Sequence, residues 1–118
     1  MEFERPIVEK RIIRDLLYGD EDYLDEFVKV SIISFTEFKN NFENNLKDRD
    51  LATLRTTGHK VKPVAQMMNL HGLLEQYEKA KKVIEQNLSD DELQSVLNHM
   101  NKYCELLLQE LNDMVSDS

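Results

Sequence analysis

An all-α fold follows from three features of the sequence. Apolar residues recur at spacings of three and four through most of the chain. Only 3 glycines and 2 prolines occur in 118 residues, too little turn chemistry for a sheet of short strands. The breaks between periodic segments are short, which makes consecutive helices antiparallel neighbours. The expected architecture is an antiparallel up-down four-helix bundle with a shorter extra N-terminal helix, a single domain over residues 1–118.

The extra helix is expected from about Pro6 to Tyr18. Pro6 suits a first helical position, where no N–H is needed, and Ile7, Ile12, Ile13, Leu16 and Leu17 give a short stripe. Gly19 ends it in the left-handed region, and Asp20 caps the next helix, with Glu21 and Asp22 at its positive end. That second helix is predicted to Lys47, with Leu24, Phe27, Ser31, Phe35, Phe38, Phe42 and Leu46 inward, widened by Val28 and Ile32. Asp50 caps the third, whose inner stripe is Leu51, Leu54, Gly58, Val61, Ala65 and Met68. Asn69 tolerates left-handed backbone and is the expected break. Leu70, Leu73, Tyr77, Ala80, Ile84 and Leu88 then form the inner face of a fourth helix. Ser89 and Glu92 read as a capping box for the last, which carries Leu93, Val96, Leu97, Met100, Cys104, Leu107, Leu108 and Leu111.

Composition narrows the function. The net charge is −8, from 15 Lys and Arg against 23 Asp and Glu. Such a surface repels phosphate backbones and anionic membranes, so neither nucleic acid nor membrane is an expected partner. One cysteine permits no internal disulfide and fits a reducing compartment. The N-terminus lacks the apolar run of a signal peptide, and no stretch is long enough to span a bilayer. A cytoplasmic, freestanding, monomeric protein is expected. His71 and His99 lack the Glu-x-x-His and His-Glu-x-x-His patterns, and no cysteine pair occurs, so no metal is expected. Cys104 and the methionines Met67, Met68, Met100 and Met114 read as packing at helical spacing. No Gly-rich phosphate loop occurs, so ATP-dependent kinase activity and bound cofactors are not expected.

The segment from Thr57 to Pro63 breaks local rules inside a periodic helix. Pro63 has no N–H and crowds the carbonyl of His59, at a typical cost of about 3 kcal/mol. It either begins a new helix after a break or shapes the helix around the imidazole. His59 and Lys62 each lie one residue past the inner stripe, roughly 100° around, and three residues apart on one face. Arg55 and Gln66 lie on the same flank. An exposed imidazole beside a lysine, with no bulk at the fifth position, suits a phosphate acceptor. The ring nitrogen must reach phosphorus in line, and the lysine offsets charge on the equatorial oxygens. Spacing alone favours an ordinary surface histidine over an acceptor.

Here the sequence resembles the histidine-containing phosphotransfer (HPt) domains of multistep phosphorelays. Their pattern is His-x-hydrophobic-Lys-Gly, with a second glycine six residues after the first. This chain has His59-Lys60-Val61-Lys62-Pro63, with Asn69 at the second glycine. The likeness extends over Gly19–Leu24, Lys47–Leu54 and Leu73–Ala80, and covers most of the chain from Gly19 onward. Two departures stand out: compact Pro63 replaces one glycine, and Asn69 replaces the other.

The resemblance implies a phosphocarrier rather than an enzyme. A receiver domain of a hybrid histidine kinase would phosphorylate His59, at Nε2, and a response regulator's receiver would then take the phosphoryl group. The receivers would supply the Mg²⁺. Lys62 would stabilise phosphate charge, and Gln66 stands where it could hydrogen-bond a phosphoryl oxygen, though a plain surface glutamine fits as well. Lys81 would fall on the neighbouring helix, beside the histidine or on a solvated face. Docking would draw on apolar and small side chains of the paired third and fourth helices. The alternative is a helical adaptor that binds a partner without chemistry.

Overall fold

Aspartate and serine side chains start three of the helices. Asp20 accepts hydrogen bonds from the N–H groups of Asp22 and Tyr23, at 3.0 and 3.2 Å. Asp50 accepts from the Thr53 N–H at 3.1 Å and from its hydroxyl at 2.6 Å. The Ser89 hydroxyl accepts from the Glu92 N–H at 3.2 Å. Each satisfies a donor that the helix leaves open. The computed structural model describes residues 3–116 and contains α1 (Lys10–Leu16), α2 (Glu21–Lys47), α3 (Leu51–Met67), α4 (His71–Glu85) and α5 (Asp90–Ser116). Among the described residues there is no strand.

Left-handed residues end four of the helices. Tyr18, Arg49, Asn69 and Asn87 have φ between 50° and 56°. At each, the following N–H reaches back over the last turn: Gly19 to Arg14, Asp50 to Asn45, Leu70 to Ala65 and Leu88 to Val83, all at 2.9–3.0 Å. This is the Schellman arrangement, here with no glycine at the left-handed position itself. Asn69 breaks the chain as expected. Gly19, at φ +74°, supports the first turn from the position after Tyr18.

Each long helix packs against two others: α2 and α4 both lie against α3 and α5. At 1.5 Å per residue, the 27 residues of α2 and of α5 each make about 40 Å of helix. That nearly fills the 46 Å long axis. Most of each predicted inner stripe is buried in all four, among them Phe35, Phe42, Leu46, Leu54, Leu73, Leu97, Met100, Leu107 and Leu111, and Cys104 lies with them, whereas Leu24, Phe27, Leu51, Leu88 and Leu108 are only partly covered.

The N-terminus departs from the expected helix. Residues 3–9 form no helix, and α1 starts at Lys10 rather than Pro6. The cause is tertiary. Glu110 of α5 accepts the Val8 N–H at 2.8 Å and pairs with Arg5 at 3.1 Å, while Ile7 and Val8 are buried. Phe3 meets the Tyr103 ring edge-on at 5.1 Å. On α4 the buried residue is Val83, with Ile84 only partly covered, and Gln76 and Tyr103 are buried although no stripe named them.

Candidate functional site

α3 runs unbroken through Pro63, so that proline does not begin a new helix. His59 and Gln66 are exposed, and Lys62 between them is half-buried. The three side chains make no hydrogen bond or ion pair with other described residues. Residues three and four apart on a helix are surface neighbours, so His59 and Lys62 share one exposed strip, with Gln66 a turn further on.

The segment beneath His59 is held from both sides. On the α2 side, the buried Thr57 hydroxyl donates to Asn45 Oδ1 at 2.6 Å. On the α4 side, Gly58 lies directly against Tyr77, and a Cβ at this position would overlap the Tyr77 ring. The Tyr77 hydroxyl donates a long bond, 3.4 Å, to the Leu54 carbonyl. Burial pushes the Tyr77 phenol above its ordinary pKa, so it stays a protonated donor. The backbone that carries His59 is thus fixed while the imidazole itself stays open.

Cations gather on this side of the molecule. Lys81 of α4 holds its Nζ 5.1 Å from the Tyr77 ring centroid, with its side chain 22% exposed, and pairs with Glu78 at 3.1 Å. Both Lys81 and Arg55 bear electrostatically on the Tyr77 hydroxyl. Lys81 therefore belongs to the seam between α3 and α4, not to a solvated face. One signal was present in the sequence without being used. The 17 residues of α3 include Arg55, Lys60 and Lys62 and no Asp or Glu, on a chain of net charge −8.

Between α2 and α3 lies a groove of about 140 Å³, lined by Ser34, Glu37, Phe38, Asn41, Thr57, Lys60, Val61 and Val64. Val30 stands one turn from Ser34 on α2 and Met67 one turn from Val64 on α3, 58% and 48% exposed, and Ile33 on α2 is 67% exposed. His71 is exposed at the start of α4 and His99 is half-buried on α5. Among the described residues no three His, Cys, Asp or Glu side chains gather as metal ligands, and no helix is long and apolar enough to cross a membrane.

Comparison with protein families, curated proteins and solved structures finds no match to this chain.

Proposed function

We propose that the chain is a cytoplasmic histidine phosphocarrier built on an antiparallel up-down four-helix bundle. The bundle reading is supported by contacts between neighbouring helices, which for α2 and α3 run in opposite chain directions. Asn45 meets Thr57 while Ser34 and Val64 line one groove; Tyr77 meets Gly58, Gly72 meets Tyr103, and Glu43 meets Asn101. The observation that carries the functional reading is the strip itself. His59 is exposed on a helix fixed at Thr57 and Gly58, with half-buried Lys62 one turn on, and α3 has no carboxylate.

The chemistry asks little of this chain. A ring nitrogen of His59 gives its lone pair to the phosphorus of a receiver's aspartyl phosphate. The N–P bond forms, the P–O bond to the aspartate breaks, and the carboxylate leaves with the electron pair. A second receiver's aspartate reverses the step. Lys62 is near enough to face the equatorial oxygens, where charge is concentrated. Gln66 is a turn further and offers an amide donor. The exposed Val30, Ile33 and Met67 give a partner apolar surface on α2 and α3. That same patch is the observation favouring the second reading, a helical adaptor without chemistry.

The test is phosphoryl transfer from an acetyl-phosphate-charged receiver, with Lys62→Ala beside the parent. The parent takes up acid-labile phosphate. The variant keeps its helicity and transfers about tenfold more slowly, the effect of about 1.4 kcal/mol of lost transition-state stabilisation. An unlabelled parent that still binds receiver would make the chain an adaptor. Equal rates would remove Lys62 from the site.

A further inference from the structure

We propose that Lys81, carried on α4 by the ring of Tyr77, is a second phosphoryl-binding cation for His59; this rests on the phosphocarrier reading above. Three observations lead to it. Gly58, the residue before His59, has no side chain, and the Tyr77 ring fills the space a Cβ would take. α4 therefore meets α3 at the residue before the histidine. Lys81 is one turn beyond Tyr77, and its Nζ turns back over that ring, 5.1 Å from the centroid. A helical side chain leaning toward its own N-terminus does this, and it returns the charge to the level of Gly58. Finally, the Lys81 side chain is only 22% exposed, low for a lysine whose one carboxylate partner, Glu78, is itself 51% exposed. The stem packs into the seam and fixes where the ammonium sits.

The geometry gives Lys81 and Lys62 different directions of approach. Lys62 lies on the histidine's own helix, toward the C-terminus of α3. Lys81 comes from α4. A phosphoryl group on His59 brings about two negative charges and three strong acceptor oxygens. One ammonium from each helix leaves the third oxygen toward the incoming receiver. Glu78 holds Lys81 while His59 is unmodified; the carboxylate of this pair is half exposed and screened by solvent, so a dianion competes for the lysine. The other cation near Tyr77, Arg55, is exposed on α3 one turn before His59. During transfer the N–P bond forms and the aspartyl P–O bond breaks, as above. Lys81 gains and loses no proton; it neutralises oxygen charge in both phospho-species.

The experiment compares the parent, Lys81→Gln and Lys81→Arg. Each is incubated with acetyl-phosphate-charged receiver, and the purified phospho-protein is followed for loss of acid-labile phosphate. In Lys81→Gln, forward transfer falls about three- to tenfold, phosphohistidine is lost faster, and the salt dependence of the rate flattens. Lys81→Arg restores the parent rate to within about twofold, because it keeps the charge. Circular dichroism shows all three folded alike. Equal rates in the parent and Lys81→Gln overturn the proposal while leaving His59 as the acceptor. Equal slowing by Gln and Arg also overturns it, since packing on Tyr77 would then be the cause. A parent that takes no label overturns the phosphocarrier reading and this inference with it.

Discussion

Gly58 matters because of what stands opposite it. The Tyr77 ring lies where a side chain would project, so Gly58→Ala must move the ring and lose its bond to Leu54. Overpacking of this kind costs about 1–3 kcal/mol, partly offset by the better helix propensity of alanine, about 1 kcal/mol. A net loss of up to about 2 kcal/mol is expected, read as a lower urea midpoint, together with slower transfer to His59. An unchanged midpoint would mean that Tyr77 does not brace α3. The sequence showed Gly58 as a small residue on an inner stripe, where a neighbouring helix could come close. It did not show that the neighbour is Tyr77, because the partner across a helix seam depends on the relative rotation of two helices. That His59 and Lys62 lie off the core follows from helical geometry, since each is one position past a strongly periodic stripe; the structure leaves His59 exposed and Lys62 half-buried.

The helices were legible through their starts more than their ends. Asp20, Asp50 and Ser89 were identified as caps, and all three accept the expected N–H groups. Of the left-handed ends, Asn69 was anticipated, whereas Tyr18, Arg49 and Asn87 were not, although Asn87 has the same tolerance of that backbone as Asn69. Tyr18 is the costly one. It sits at φ 54° and is 98% exposed, so its ring has almost no contact to lose. Tyr18→Gly is expected to stabilise the α1–α2 turn by about 0.5–1 kcal/mol, after the extra freedom of glycine in the unfolded chain is counted. Slower amide exchange in α1 with a raised thermal midpoint is the expected result. A lowered midpoint would show that the ring supports the turn. The start of α1 was misread for a reason of distance: the Val8 N–H is claimed by Glu110, 102 residues away, and no local pattern encodes that bond.

At the scale of the whole molecule, one apolar interior links α2 through α5, and Cys104 reports on it. Burial pushes the thiol up to about 12, so it stays protonated and enclosed at neutral pH. A thiol reagent is expected to label Cys104 only through global opening, with a rate that rises in urea as steeply as unfolding itself. Labelling that ignores urea would mean α5 opens locally and the single-core description fails. On this rigid interior the charges divide: α3 presents cations and no carboxylate, while the chain as a whole is acidic. That contrast, with an exposed imidazole at its centre, is what the phosphocarrier account rests on, and one measurement bears on it most directly. A charged receiver is mixed with the parent and with His59→Gln, and acid-labile phosphate is read on a gel beside receiver affinity and circular dichroism. His59 is exposed and outside the core stripe, so its loss opens no cavity. The account predicts a labelled parent and an unlabelled variant, with affinity and helicity unchanged. Acid-labile phosphate on the variant would move the acceptor to His71 or His99, and an unlabelled parent would contradict the phosphocarrier altogether.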